Sequence, residues 1–534
     1  MSAWLVKSRK RRHRGAIGNK YRAVRAIGTF HRIFFVGIVL TSLGAIAICA
    51  GSLAAGDRGL RVEARDIEGR PATEFSSSTE GSKATVIVVH GFAGSQQLMQ
   101  PIAETLAHDR YRVLTFDLAG HGRNRIPLAG GLDDLALSTR LLLDEIDKVV
   151  GYARLQPGFN GRLALIGHSM ASELVVRYAM EHSGVDAVVA LSLFGRDVTP
   201  TSPQNLLVVD GAWEPSVLRD AAVRIAGEAS GGAAQPGRTY GDFAAGTARR
   251  YVFAEGAEHI GVIFSRDALA ASRDWLDGAF GEESSGPIDR RGAVLGLLLI
   301  ALLALGWAAS AGLPRLRPPP AASVPAGRLW LIGASAALAT PLLLAKAPTD
   351  FLPILLGDYL AVHFALYGAL LWAGLALAGR FRTQLPGARE IGKACGLAAL
   401  VGGVTLAALG GPIDAYVTSF APTGVRWALI PVLFAAVALA FTAEETLARG
   451  AGAPRFAYAI VKLCFVASLA VAIALNPRRL FFLIIVVPVV AVLFVVFGLV
   501  NRWSFRATGE PLVGALANAL TLAWAIAVTF PLVG

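Results

Sequence analysis

The sequence predicts an α/β domain with a mostly parallel sheet and helices on both faces, joined to an all-α domain of membrane-spanning helices. Three observations predict this pairing. The 534 residues are 54% hydrophobic and only 16% charged, whereas globular domains have about 25% charged residues. Long apolar runs crowd into the second half of the chain, and a helix needs about 20 such residues to cross a bilayer. Between residues 60 and 282 the apolar runs are instead short and alternate with segments of helical character.

The chain begins with a strongly basic segment. Residues 1–32 contain ten Lys or Arg residues and no Asp or Glu, so they carry most of the net charge of +12. A basic block directly before an apolar run fixes topology and meets anionic lipid head groups. We therefore predict a basic cytoplasmic tail at residues 1–32, membrane lipids as partners and no nucleic-acid partner.

Residues 33–55 form the first apolar run, which is long enough to span a bilayer. A cleaved signal peptide is the competing interpretation, because small residues follow the apolar run. The basic lead of 32 residues is long for a signal peptide, so an uncleaved transmembrane anchor is favoured. In either case, the following domain lies on the same side of the membrane.

The α/β domain covers residues 60–282. Its short apolar runs predict strands that are buried on both faces, as in a parallel sheet covered by helices. These runs are "TVIVV", "RVLTF", "LALI", "AVVAL", "LLVV" and "RYVF".

The membrane pattern returns after residue 291 and persists to residue 534, where we predict a membrane domain over residues 292–534. A Pro-rich linker at residues 314–328 separates the first two of its eight candidate spans. The spans cover residues 292–313, 329–345, 352–378, 394–411, 427–443, 457–475, 480–500 and 511–533.

Charge asymmetry predicts the orientation of these nine spans. With the basic tail in the cytoplasm, the loops assigned inside contain 11 Lys or Arg residues and the short outside flanks contain six. Orientation follows this bias. We therefore predict a multi-pass protein of the cell inner membrane whose α/β domain is extracytoplasmic.

A candidate nucleophile lies in the sequence Gly167-His168-Ser169-Met170-Ala171. It nearly fits G-x-S-x-G, the sharp strand-to-helix turn that exposes a catalytic serine, with Ala171 in place of the second glycine. An apolar strand precedes the motif and a helical segment follows it. By itself the motif is equally compatible with an ordinary strand–turn–helix connection.

Further segments of residues 60–282 resemble the α/β-hydrolase fold superfamily, in particular its monoacylglycerol lipase and serine aminopeptidase-like branch. They occur in the family's order and spacing, and Asn124 stands where the family commonly has serine. The matching segments are "VIVVHGFAGS" (86–95), "YRVLTFDLAGHGRN" (111–124), "LALIGHSMA" (163–171), "LLVVDGAWEPSV" (206–217) and "EGAEH" (255–259).

A serine nucleophile needs a histidine to accept its proton and a carboxylate to orient that histidine. Of the nine histidines, only His259 and His363 follow the acid region, and His363 lies in a predicted span. His259 also matches the family. For the acid, the resemblance aligns Glu214 with the family's position, whereas Asp210 ends the preceding strand and has the commoner residue type. Glu214 is favoured and Asp210 remains the alternative.

The resemblance also implies an oxyanion hole formed by the backbone N–H groups of Phe92 and Met170. Only about ten residues separate the segments "AVVALSLFG" and "LLVVD", where many family lipases insert a helical cap. The sequence therefore predicts an open active site that faces the membrane or is covered by loops of the membrane domain.

No phosphate loop, dinucleotide fingerprint or metal-ligand cluster is present in the sequence, so we predict no cofactor and no metal site. The three cysteines all lie in apolar segments, which leaves no disulfide framework for the α/β domain. Several ionisable residues lie in or near the spans, where such residues tend to be functional or paired. They are Asp358, His363, Asp414, Glu444 and Glu445.

The resulting prediction is a membrane-anchored serine hydrolase that cleaves carboxylic esters through an acyl-enzyme, with an ester or lipid-like small molecule as substrate. A serine peptidase or an acyltransferase would use the same triad. A non-enzymatic membrane transport or sensory protein, in which the hydrolase-like domain only binds a ligand, is the alternative from another class. The sequence makes no prediction of oligomeric state.

Overall fold

Short apolar runs and long ones fold into separate parts of the molecule. The structure, a computed structural model, describes residues 33–79, 81–194, 198–320, 323–380 and 386–534. Within them, one mixed sheet with flanking helices is followed by a helical domain, so the predicted fold class is confirmed. The basic tail at residues 1–32 lies outside the described residues.

The sheet has eight strands in the order β1-β2-β4-β3-β5-β6-β7-β8. Strands β3 to β8 pair in parallel, whereas β2 pairs antiparallel with β1 and β4. The carboxyl ends of the six parallel strands therefore lie at one edge, where ligands bind in open α/β sheets. The strands are β1 Leu60–Ile67, β2 Arg70–Ser77, β3 Thr85–Val89, β4 Arg112–Phe116, β5 Leu163–His168, β6 Ala187–Leu191, β7 Leu206–Gly211 and β8 Arg249–Ala254.

Strands β1 and β2 form a hairpin that the apolar-run pattern does not predict. Their sequences contain many polar residues, and β1 is largely exposed. Glu68 and Gly69 connect the strands with φ values of 54° and 83°, which is the backbone that a two-residue type I′ turn requires. The hairpin extends the sheet beside β4, away from Ser169.

Helices cover both faces of the sheet, as the buried strand sequences require. Helices α3, α4 and α5 pack in the hydrophobic core on one face, and α2 and α6 pack in the core on the other. These helices are α2 Gln100–His108, α3 Leu135–Leu155, α4 Met170–Glu181, α5 Ser216–Ser230 and α6 Arg266–Phe280.

Nine helices among the described residues are long and apolar enough to cross a membrane, which indicates a membrane protein. Each overlaps one predicted span. They are α1 Ile33–Leu53, α7 Arg291–Ser310, α8 Ala326–Leu344, α9 Gly357–Leu377, α10 Ala388–Tyr416, α11 Arg426–Ala448, α12 Ala457–Leu475, α13 Phe482–Thr508 and α14 Pro511–Thr529.

Helix α14 lies at the centre of this bundle, where it packs against α10, α11 and α13. Helix α1 is instead peripheral and packs through Cys49 and Leu53 against α7. Helix α9 begins five residues later than its predicted span, because residues 352–356 bond to the segment that follows α14. One of these bonds joins the Leu355 N–H to the Pro531 carbonyl, at 2.9 Å.

The segment after α14 also joins the helical bundle to the loop that follows β4. The Gly120 carbonyl accepts hydrogen bonds from the Leu532 N–H and from the Arg426 guanidinium, both at 2.8 Å. The Leu128 N–H donates to the Leu532 carbonyl at 2.9 Å. A Cβ atom at residue 120 would overlap the Leu532 carbonyl oxygen, so this close approach requires glycine. The carboxyl edge of the sheet thus faces the bundle.

Candidate active site

Ser169 lies on the turn between β5 and α4 with φ 55° and ψ −123°. A non-glycine residue with positive φ is uncommon, and such strain clusters at functional sites. The turn is tight, because a Cβ atom at residue 167 would overlap the Ala171 carbonyl oxygen. The Ser169 N–H donates to the Leu191 carbonyl at 2.9 Å, which fixes the turn against β6.

The structure brings Ser169, His259 and Glu214 into one hydrogen-bonded chain. The Ser169 Oγ lies 2.8 Å from His259 Nε2, and His259 Nδ1 lies 3.0 Å from Glu214 Oε1. Because Nδ1 must donate to the carboxylate, Nε2 of the neutral ring is the atom that can accept the serine proton. This geometry is the one that general-base activation of a hydroxyl requires.

The Glu214 carboxylate is fully buried and receives a second hydrogen bond. The Ser192 hydroxyl, directly after β6, donates to Glu214 Oε1 at 2.6 Å. This hydroxyl holds the same oxygen that faces His259. No motif in the sequence predicts this role of Ser192.

Asp210, the alternative acid, lies at the end of β7 and is also fully buried. No hydrogen bond joins it to His259 among the described residues, whereas Glu214 makes that bond. Burial, and next the nearby Glu214 carboxylate, raise the pKa of Asp210 to about 8. Asp210 therefore holds a proton at pH 7. Of the two candidate acids, the structure brings only Glu214 to the histidine.

The loop after β3 approaches the nucleophile closely. A Cβ atom at residue 91 would lie 2.9 Å from the Ser169 Cβ, so the glycine at this position lets the loop backbone touch the serine. Phe92 follows Gly91, and Met170 follows Ser169 as the first residue of α4, where helix N–H groups have no partner within the helix. The two residues proposed to supply the oxyanion hole thus directly follow Gly91 and Ser169 in the chain.

His90 braces this loop rather than facing Ser169. Its Nδ1 donates to the Gly91 carbonyl at 2.8 Å, and its Nε2 accepts from the Leu118 N–H at 3.1 Å. Burial lowers the pKa of His90, so the ring is neutral and can play both roles. It links the loop after β3 to the loop after β4.

His168, beside the nucleophile, supports the loop that contains His259. Its Nε2 donates to the His259 carbonyl at 2.8 Å. Burial, foremost, lowers the pKa of His168 to about 3, so the ring stays neutral. The sequence analysis missed this role, since the middle positions of G-x-S-x-G accept many residue types.

The ring of Phe92 extends from the oxyanion loop into the helical bundle. It stacks on Phe482, at the start of α13, with 4.4 Å between ring centroids. It also meets His121 and Phe530 edge-on, at 6.1 and 6.3 Å. Such aromatic pairs contribute about 0.5–1.5 kcal/mol beyond area burial. The membrane domain therefore covers one side of the site. From the sequence, two arrangements were possible: a site that faces the membrane, or one that is covered by loops of the membrane domain.

Two neighbouring cavities have volumes of about 380 and 250 Å³. The larger is lined by residues of the helical bundle, and the smaller also by Gly130–Asp133 of the hydrolase domain; both are lined by Asp350, Tyr359 and Arg479. Neither cavity is lined by Ser169. Among the described residues, no group of three or more His, Cys, Asp and Glu side chains could hold a metal ion.

Comparison with known proteins agrees with this architecture. A family model of the α/β hydrolase fold matches residues 84–225. A protein named as a non-heme haloperoxidase in Mycobacterium phage D29 is 30% identical over 106 residues, which are 20% of this chain and 34% of that protein. The chain thus spans about a third of the length of this curated relative.

Several solved structures are similar to this chain at low sequence identity. A protein named as a CIB-like hydrolase from Thermoplasma acidophilum is 18% identical, with coverage of 41% of this chain and 97% of that one and a TM-score of 0.32. A bacterial membrane phospholipase A is 15% identical, with coverage of 46% and 99% and a TM-score of 0.31. The monoacylglycerol lipase-like branch stays a prediction. Residues 84–225 thus match the α/β-hydrolase fold, and a domain of long apolar helices is attached to that fold.

Proposed function

We propose that this chain is a membrane-anchored serine hydrolase that cleaves carboxylic esters through an acyl-enzyme. The observation that carries the proposal is the hydrogen-bonded chain from Ser169 through His259 to Glu214, on a strained turn at the carboxyl edge of the sheet. Nucleophile, base and orienting acid are all within hydrogen-bond reach, which is the signature of an activated serine.

In the first half of the reaction, Ser169 Oγ attacks the ester carbonyl carbon while its proton moves to His259 Nε2. The Glu214 carboxylate stabilises the imidazolium that forms and keeps its ring oriented. The C–O bond to the alcohol then breaks, and His259 gives the proton to the leaving alkoxide. An acyl group now remains on Ser169.

In the second half, His259 takes a proton from water, which attacks the acyl carbonyl and releases the carboxylic acid. The negative oxygen of each tetrahedral intermediate needs hydrogen-bond donors fixed in advance. The Phe92 and Met170 N–H groups are proposed for this role. The contact of Gly91 with Ser169 supports the assignment, because it brings the loop backbone to the reacting atom.

We further propose that the hydrolase domain lies outside the cytoplasm, at the inner membrane. It is inserted between the end of α1 and the start of α7, so a membrane-spanning α1 would put it on the side opposite residues 1–32. The excess of Lys and Arg in the loops on the tail side supports this orientation.

A peptidase or an acyltransferase would use the same three residues and differ only in the group that leaves or accepts the acyl chain. A purely ligand-binding domain is disfavoured. It would gain nothing from the strained φ of Ser169 or from the Ser192 hydroxyl that fixes Glu214.

The experiment is labelling of the full chain in proteoliposomes with a fluorophosphonate probe, which forms a covalent bond only with an activated serine. We expect labelling of the unchanged protein and none of Ser169→Ala. Ser183→Ala is the matched control, since Ser183 is exposed, lies two residues past the end of α4 and is outside the hydrogen-bonded triad. Absence of labelling in membrane-inserted protein would refute the enzymatic assignment. Accessibility tags at residues 5 and 230 test orientation, which is wrong if residue 230 is cytoplasmic.

A further inference from the structure

The Ser169 turn lies between two flanks of one sheet edge. In the strand order, β3 and β4 lie on one side of β5, and β6 and β7 lie on the other. We call the loops after β3 and β4 the docked flank, and the loops after β6 and β7 the open flank. Because all these strands are parallel, the four loops lie at the same edge as Ser169.

The docked flank contacts the ends of the membrane helices directly. The Ser419 N–H, just after α10, donates to Ser95 Oγ at 2.9 Å. The Arg123 guanidinium pairs with Asp414 near the end of α10 at 2.7 Å. Phe92, beside the nucleophile, stacks on the first residue of α13. The edge that contains Ser169 is therefore level with the helix ends on this side.

These helix ends lie at the boundary between hydrocarbon and head groups. The sequence "FLIIVVPVV" at the start of α13 is apolar from its first residue, and Arg478 and Arg479 precede it, separated from it by Leu480 and Phe481. Basic and aromatic residues adjoining the end of an apolar span mark the interface of a bilayer. Phe482, which stacks on Phe92, is thus an interfacial residue of the membrane domain.

The open flank has exposed apolar side chains at the same edge. Trp213, directly before Glu214, is 73% exposed, Val217 is 54% exposed and Phe194 is 43% exposed. We call these three residues the apolar rim. Among the described residues 192–194 and 198–205, no helix follows β6 to cover the rim. Grouped apolar side chains left in water mark an interaction surface.

We propose that the apolar rim lies in the head-group layer of the bilayer, in the leaflet next to the hydrolase domain. The occupant of this surface is lipid because the rim continues the edge at which the docked flank meets the helix ends. Tryptophan favours this layer, since its ring is apolar and its N–H is polar. The mouth of the site then opens onto the membrane surface, so that an ester dissolved in the bilayer can reach Ser169 without entering bulk water.

The test is fluorescence quenching on full chains in phosphatidylcholine vesicles. The three native cysteines are replaced by serine, and a bimane probe is attached at Trp213→Cys or Val217→Cys. The matched control is Leu155→Cys. Leu155 is apolar and 84% exposed, but it ends α3 at the opposite edge of the sheet, before β5 begins.

We expect nitroxide-labelled lipid to quench the rim probes several-fold more than the probe at residue 155, and aqueous iodide to show the reverse order. Iodide quenching of the rim equal to that at residue 155 would overturn the proposal. Shielding of the rim from both quenchers would also overturn it, since a second copy of the chain or another protein would then cover the rim. Val217→Cys keeps the test independent of Glu214, and the outcome does not depend on whether Ser169 is active.

Discussion

On the docked flank of Ser169, loops after β3 and β4 are held by directed contacts with helices, such as the Gly120 carbonyl with Arg426 and the Phe92 ring with Phe482. On the open flank, the hydrogen bonds that the described residues make to Glu214, the proposed acid, come from its own domain, through Ser192 and His259. The two domains therefore have different roles at this site. In the described residues, the hydrolase domain orients the proposed acid and base, whereas the membrane domain supports the loop proposed to stabilise the oxyanion.

The largest effect should come from the acid on the open flank. We expect Glu214→Gln to lower kcat by about 10³- to 10⁴-fold, because an amide cannot stabilise the imidazolium or hold the productive tautomer. Asp210→Asn is the matched control. It should leave kcat within about threefold, because Asp210 is already protonated at pH 7. Hydrolysis of a water-soluble ester by full chains measures both, and the reverse order of effects would assign the acid to Asp210.

A smaller effect is expected from Ser192→Ala, which removes the hydroxyl that fixes Glu214. The loss of one hydrogen bond to a charged group is worth about 1.5–3 kcal/mol, or roughly 10- to 100-fold in kcat. The KM should stay unchanged, because Ser192 touches no substrate. Ser192→Thr should restore part of the rate, and a purely structural role would instead change thermal stability without this rescue.

On the docked flank we expect Phe482→Ala to lower kcat by about 2- to 10-fold, because the lost ring contact loosens the Phe92 loop. Trp330→Ala, an exposed aromatic residue on α8, is the control and should not change the rate. Fluorophosphonate labelling should slow in parallel, since its phosphoryl oxygen uses the same donors. Equal rates for the two variants would show that the bundle only tethers the hydrolase domain.

We expect Asp210→Asn to have the smallest effect on the rate. It should, however, change the stability of the folded protein in a pH-dependent way. The pKa of Asp210 is raised to about 8 in the folded protein from about 4 when unfolded. As pH rises from about 4 to 8, the unfolded chain therefore releases this proton first, and the folded state loses stability through that window. The asparagine variant should unfold at a higher temperature than the unchanged protein at pH 8, and the difference should vanish below about pH 4.

The parallel strands could be predicted because a strand that is buried on both faces needs a continuous apolar run. The membrane helices could be predicted because a helix that lies in lipid needs a longer one. The β1–β2 hairpin could not, because its half-exposed strands have no such run. Residue type favoured Asp210 as the acid, whereas the turn after β7 directs Glu214 towards the histidine. Contacts such as that of Phe92 with Phe482 join residues that are far apart in the chain, so no local sequence pattern predicts them.

The bond between the Gly120 carbonyl and the Leu532 N–H has a consequence for biogenesis. Residues 60–282 are synthesised long before residue 532, so the hydrolase sheet can form while the last helices have not yet been made. The loop after β4 can meet Arg426 once α11 has been made, whereas its bonds to Leu532 and the stacking of Phe92 on Phe482 form only after α13 and α14 have inserted. We therefore expect a chain that stalls before α13 to display a folded hydrolase domain of low activity. Full turnover would begin only when insertion is complete.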